Sequence, residues 1–402
     1  MKKTFYLFNA LLLLLMLSCT NEFDSLTTPN NSSINESKQV SLEEANAFVN
    51  KIIPSLGKVS GNSTRSVTTE LQYDVLPIKS ASDKVVMYAI NFRNNNGYIL
   101  LSANKEDKSI LAMNDKGNID STSLIGTSAF SQWIKEKSEE IEVSLNTPQD
   151  KSDYRYGLWN YITNQKDTIA EIEFVSTDEI SATRSHENSY KLAWVDPVTG
   201  LYCNWGQQSP YNYHAPSGAL AGCPAVAVGM LCFNYYYPEG NWTYWKMPYK
   251  LTNSGDNDIA RLFRYVADQI PNYQWGINGS GAMPADILTG IKKLGYKNAT
   301  MQNYDFRTVY DNLYNERPVL IGGYSSNGGG HIWYCDGYKE ITYKVTRKVA
   351  GITIKTWYEY DDMLYMNWGW NGDSDGWYNE VDFGGLYNVQ RQIYVNLYPP
   401  TN

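Results

Sequence analysis

Residues 217–231 read SGALAGCPAVAVGML. A cysteine stands after a glycine and before a proline, at the head of a run of small apolar residues. Proline is favoured in the first turn of a helix, so Cys223-Pro224 places the thiol at a helix N-terminus. The partial positive charge there favours thiolate, the nucleophilic form. Gly222 lets backbone or substrate come close. The competing reading is a buried cysteine that only packs, the commoner fate of a free cysteine. This stretch alone does not separate the two.

A thiolate nucleophile needs a base, usually histidine. The 402-residue chain has three: His186, His214 and His331. His186 lies in a polar, aperiodic stretch, and His214 lies in the loop YNYHAP. His331 heads an apolar strand after SSNGGG, where a side chain is better fixed. It is the stronger candidate, with His214 behind it. Asn367, in MNWGWNGDSDGWY, can accept from an imidazole nitrogen, and the neighbouring Trp368 can shield that bond, as in Cys-His-Asn triads. Gln207 or Gln208, in CNWGQQSPYN, can supply an oxyanion donor beside the Cys223 backbone N–H.

The bulk numbers fit that chemistry. Aromatics make up 14%, with 33 Tyr and 12 Trp, which suits a large core and argues against disorder. The net charge is −8, from 34 Lys+Arg against 42 Asp+Glu. With no dense basic patch, nucleic-acid binding has little support. The start, MKKTFYLFNALLLLLMLSCTNEFD, has a charged beginning and an apolar run too short to span a bilayer, the pattern of an export signal. It ends at Ser18-Cys19, which resembles a lipoprotein signal (1–18) with Cys19 as the lipidated residue; plain secretion is the alternative. The expected location is the cell envelope, lipid-anchored on the periplasmic or surface face, with release after maturation. The cysteines are 19, 203, 223, 232 and 335. Cys223 and Cys232 cannot pair within one helix, which would hold them about 13 Å apart. No bridge pattern is visible for Cys203, Cys232 and Cys335.

Along the chain, residues 19–40 are an Asn/Ser/Thr-rich tether. Ser41-Leu-Glu-Glu44 is a capping-box pattern opening a helix. Residues 85–117 show strand-like runs broken by Asn-Asn-Gly and Asn-Asp-Lys-Gly turns, and 125–145 is helical. STDEISATRSHEN (176–188) is polar and aperiodic, an exposed linker spanning 176–190. From residue 191 to 402 Trp, Tyr, Gly and Pro become dense. Helices are expected near 258–269 and 284–294, then strands at 318–324, 331–338, 341–347, 351–360 and 363–370. Helices first and strands after give an α+β domain.

The order Gln, Cys, His, Asn resembles the streptopain family of secreted bacterial cysteine proteases, on a papain-like fold. WGQQSPYN, AGCPAVAVG, GGGHIWYCDGY and MNWGWNGDSDGWY each match a family motif. YAINFRNNNGYILLSANKEDKSILAMNDKG resembles the propeptide core, so 41–175 would be a small α+β inhibitory prodomain blocking the cleft until cut. The resemblance implies Cys223 as nucleophile, His331 as general base and Gln207 as oxyanion donor. It implies Asn367 as the residue orienting His331, with Trp368 covering that pair. Arg184 and Lys191 are the candidate propeptide cleavage sites. Gly229-Met230 departs from the Ala-Gln of many relatives, which suggests altered packing. Cys335 shares a strand face with His331 and is expected to pack.

The resemblance implies protein or peptide substrates, the chain's own propeptide as inhibitor, and no cofactor. No metal is expected. The 371–382 loop has Asn371, Asp373, Asp375 and Asp382 at calcium-loop spacing, but its flanking strands do not suit an EF-hand. A peptidoglycan-directed Cys-His amidase and an idle adhesin on the same fold are the alternatives.

Overall fold

A computed structural model describes residues 37–56, 72–148 apart from 115 and 126–128, and 203–400 apart from 326–327, 340–341, 350–351, 361 and 380–386. Short pieces at 155, 159, 162, 170–174 and 189–191 are also described. Lys38–Asn402 forms one compact unit. The signal, Cys19, most of the tether, His186 and Arg184 lie outside the described residues.

The first part is a sheet sandwiched by helices. Helix α1 (Leu42–Leu56) starts as its sequence dictates: Ser41 N donates to Glu44 Oε2 at 2.7 Å, and Glu44 N donates to Ser41 Oγ at 3.1 Å. Strands β1 (Tyr73–Lys79), β2 (Val85–Phe92), β3 (Tyr98–Ser102) and β4 (Ile110–Asn114) form an antiparallel meander. Helices α2 (Ser121–Ile125) and α3 (Ala129–Leu145) follow. Period-two alternation serves both faces. Tyr88 and Ile90 pack with Phe48 and Val49 of α1. Met87 and Ala89 pack with Phe130, Trp133 and Ile134 of α3.

Then come β5 (Ala170–Phe174), β6 (Ser189–Lys191), α4 (Cys223–Tyr235), α5 (Asp258–Gln269), α6 (Pro284–Lys293), β7 (Thr300–Asn303) and α7 (Phe306–Tyr314). The chain ends with β8 (Val319–Tyr324), β9 (Gly330–Lys339), β10 (Thr342–Val349), β11 (Ile352–Tyr360), β12 (Met363–Asn367), β13 (Gly376–Asn379) and β14 (Val389–Val395). Helices α5 and α7 start at side-chain caps, Asn257 and Asp305. Helix α4 is apolar all round, and residues 224–233 are buried. Such a helix needs neighbours on every side. It packs with Leu262 and Phe263 of α5, Ile291 of α6, and Ile332 and Tyr334 of β9.

One sheet joins both parts, in the order β1-β2-β3-β4-β13-β12-β9-β8-β14-β7, with β6 on β9. The junction is β4 against β13, with Met113 opposite Trp377 and Ala112 opposite Tyr378. A second sheet has the order β11-β10-β5. Two sequence expectations shift. The strand expected over 363–370 stops at Asn367, because Gly369, Asn371 and Gly372 take φ of 73°, 61° and 82° and turn the chain. The expected linker ends on a strand, since Tyr190 lies opposite Tyr338 and Lys191 opposite Gly337.

Candidate active site

Gly222 precedes α4 with φ of 91°, and a Cβ there would lie 2.3 Å from Tyr273 Oη and 2.6 Å from the Ser280 carbonyl oxygen. Only glycine fits. Tyr273 Oη donates to the Ala221 carbonyl at 2.6 Å, fixing the approach to Cys223. Pro224 occupies the first turn, as its missing N–H allows. The thiol therefore sits at the helix N-terminus.

Strand β9 brings the imidazole to it. Cys223, Pro224, Gly330, His331 and Ile332 line one cavity of about 230 Å³, with Met283, Pro284 and Ile287 of the α6 entry and Gln392 and Tyr394 of β14. The Tyr394 hydroxyl donates to the Pro284 carbonyl at 3.1 Å and pins the two walls together. Every residue lining this cavity follows position 222. None of the described prodomain residues lines it. Their sheet spends its free edge on β13 instead.

His331 is 8% exposed. Its Nε2 lies 3.0 Å from the Trp368 carbonyl oxygen. A carbonyl only accepts, so Nε2 carries the proton and Nδ1 keeps its lone pair for a second partner. Aromatic rings enclose the imidazole: Trp370 at 4.7 Å, Tyr387 at 5.1 Å, Trp333 at 5.9 Å and Trp368 at 6.1 Å. This burial pulls the His331 pKa down to about 4, against the opposing Trp368 bond. Burial also pushes the Cys223 thiol up to about 11, although a backbone hydrogen bond with Ile332 works the other way. The shift runs opposite to the sequence expectation of a depressed thiol: in this conformation desolvation outweighs the backbone hydrogen bonds that favour thiolate. Both shifts favour the neutral thiol and the neutral imidazole in this conformation.

The orienting contact comes from Trp368's backbone. Asn367, 4% exposed, donates from Nδ2 to the Cys203 carbonyl at 2.5 Å and accepts the Gly369 N–H at 3.2 Å. Both contacts tie Asn367 into its own turn and to the 203–206 segment. That turn also presses on the nucleophile helix, for a Cβ on Gly369 would lie 2.9 Å from Val226 Cγ1. Gln207 is half-buried, and its carbonyl accepts the Ala221 N–H at 2.8 Å, next to the nucleophile segment. Neither Gln207 nor the exposed Gln208 lines the cavity. His214 is turned to Asp256, with Nε2 2.7 Å from Oδ1, away from Cys223's cavity. Cys203, Cys232 and Cys335 are buried free thiols, and Cys335 packs beside Trp333 and Met366. Among the described residues no group of three or more His, Cys, Asp or Glu is placed to hold a metal.

Sequence reasoning gave Asp375 only a calcium role. In the fold it is 3% exposed, and its Oδ1 accepts the Trp368 N–H at 2.8 Å. It thereby holds the peptide whose carbonyl fixes His331. Its own carbonyl accepts from Asn114 Nδ2 of β4. Asp375→Leu leaves the Trp368 N–H buried and unpaired, a cost of about 1–3 kcal/mol. The expected result is kcat about ten- to a hundredfold lower with KM little changed. Asp375→Asn keeps an acceptor and should stay near wild type. Equal losses in both variants would show that charge, not the hydrogen bond, matters.

The prodomain reaches this turn from behind. Trp133 meets Tyr378 edge-on at 5.2 Å, and Tyr378 meets Trp368 edge-on at 5.5 Å. An α+β fold that puts a cysteine at a helix N-terminus and a strand histidine on one cavity suits a cysteine-type peptidase, and a second domain joins its sheet. The model of the peptidase C10 family matches residues 239–378, and that of the Spi protease inhibitor matches residues 33–141. The first range contains His331, Asn367 and Trp368 and begins after Cys223. The thiol protease/hemagglutinin PrtT of Porphyromonas gingivalis is 21% identical over 84% of this chain. The chain spans about 40% of that relative's length. A prointerpain A fragment from Prevotella intermedia matches in fold, with a TM-score of 0.52 and 17% identity over 82% of this chain and 100% of that one. Active interpain A aligns over 52% of this chain and 96% of that one at 21% identity and a TM-score of 0.41.

Proposed function

We propose that the trimmed form is an endopeptidase in which Cys223 attacks the substrate carbonyl and His331 takes the thiol proton. The observation that carries this is the shared cavity of Cys223 and His331, the latter with Nδ1 left as acceptor. The attack forms a C–S bond, and the tetrahedral oxyanion is met by the Cys223 N–H and the Gln207 amide. The imidazolium then protonates the leaving amine, and water releases the acyl group. Substrate binding needs the His331 cage to open enough for a charged imidazolium. Asn367 then replaces the Trp368 carbonyl as the orienting acceptor, with Trp368 over the pair. Removal of the prodomain, by cuts at Arg184 and Lys191, frees the turn that holds Trp368.

The same reading makes the chain an exported lipoprotein anchored through Cys19 in the cell envelope, with protein substrates met there. Loss of labelled-palmitate incorporation in Cys19→Ser would bear out the anchor, and unchanged incorporation would sink it.

The test of the chemistry is the pH profile of casein hydrolysis by the trimmed enzyme. A coupled thiolate–imidazolium pair gives a bell whose two limbs belong to the pair. A rate climbing steadily with pH, as for an unactivated thiol, would contradict it.

A further inference from the structure

The hairpin β10–β11 is inserted in the chain between the strand that carries His331 and the strand that ends at Asn367. Its strands pair over their length, and Thr346 Oγ1 lies 3.3 Å from Thr356 Oγ1. The other side of β10 is taken by β5, a segment from before the expected cleavage sites. The register holds one pair of opposite charge, Lys344 opposite Glu173; Thr346 stands opposite Glu171, Val345 opposite Ile172 and Tyr343 opposite Phe174. Along β5 the acidic Glu171 and Glu173 alternate with Ala170, Ile172 and Phe174, and the register sets polar Lys344 and Thr346 opposite the acids and Tyr343 and Val345 opposite apolar positions.

Cutting at Arg184 or Lys191 severs β5 from the protease. A five-residue strand held by one ladder has little to offset its lost chain entropy and leaves. The β10 edge then carries a row of unpaired N–H and C=O groups beside Lys344, Arg347 and Lys348, a template for strand addition. We propose that this edge, in the trimmed enzyme, is an exosite that captures an extended segment of a protein substrate with alternating acidic and apolar residues. The inference rests on the protease reading for its use, since a segment held there raises the local concentration of the attached chain at the cleft that β9 helps to line. The bland reading is that the basic residues only guard the edge against aggregation.

The experiment uses enzyme trimmed by itself, or by trypsin in the 176–188 linker if it does not self-trim, with mass spectrometry to follow the 170–174 segment. A fluorescent peptide of residues 168–176, TIAEIEFVS, is titrated by anisotropy against trimmed enzyme alkylated at Cys223. Saturable binding is expected. A Glu173→Lys peptide should bind about tenfold more weakly, and Lys344→Glu enzyme should restore it. A short peptide substrate extended by AEIEF should show KM lowered about tenfold with kcat unchanged, and Lys344→Glu should remove that gain. Retention of the 170–174 segment after trimming, absence of peptide binding, or equal binding of both peptides to both enzymes would overturn the exosite. If no short substrate is hydrolysed, the protease reading fails, and anisotropy still decides the edge.

Discussion

A chain carrying Cys223→Ala is expected to remain full length and to digest casein at least about ten-thousandfold more slowly than wild type. No other described thiol can substitute. Cys203, Cys232 and Cys335 are 8%, 0% and 0% exposed. Burial holds Cys203 and Cys335 well above the usual thiol range and Cys232 at about 12. Wild-type enzyme added in trace should still trim the mutant, because the linker remains a substrate. That trimming in trans separates loss of chemistry from loss of folding. A Cys223→Ala chain that trims itself would show that another group performs the cut.

The second large effect is on thiol reactivity. With the Cys223 thiol at about 11, only about one molecule in ten thousand is thiolate at neutral pH. Iodoacetamide should therefore modify Cys223 of the zymogen slowly, with a rate rising about tenfold per pH unit until the pKa is approached. The sign follows from the reaction: thiolate attacks, and its fraction grows with pH while the thiol is the major form. Trimming should raise the neutral-pH rate about a thousandfold, because an imidazolium neighbour brings the thiol below neutrality. Peptide mapping assigns the label to Cys223 rather than to the buried thiols. Equal rates before and after trimming would mean that the prodomain does not control the nucleophile.

Much of this was legible in the residues. Ser41 and Glu44 spell their capping box, and Asn257 caps α5 where the sequence expected a helix over 258–269. Cys223-Pro224 marks a helix start because proline lacks the N–H that the first turn leaves free. The scarcity of histidine left three base candidates and the strand after SSNGGG made His331 the stronger one, and the fold puts it on the cavity of Cys223. What stayed hidden was relational. A single sequence does not say that β4 joins β13, since that pairing spans more than 260 residues and leaves no local period. Nor does spacing show that Trp368's carbonyl, not the Asn367 amide, holds Nε2. The choice depends on which groups Cys203 and Asp375 occupy in the folded turn. Asp375 followed a calcium-loop spacing on the page, yet its oxygen is spent on a backbone N–H. Its position seven residues after Trp368, closing a Gly-rich turn, was the signal available. The thiol's raised pKa was missed for a similar reason. Helix position is local, whereas burial depends on segments distant in sequence, such as β9 and β14, which share the Cys223 cavity.

The central claim is that Cys223 and His331 are a neutral pair in the zymogen and become an ion pair once the prodomain is gone. The most direct measurement is a thiolate ultraviolet titration of the zymogen and the trimmed enzyme, each taken as a difference from Cys223→Ala. The zymogen should show the Cys223 step near the pKa of about 11. In the trimmed enzyme the step should move to about 7 or below, in the range of histidine-paired thiols. Superimposable titrations, with the step high in both, would contradict the account.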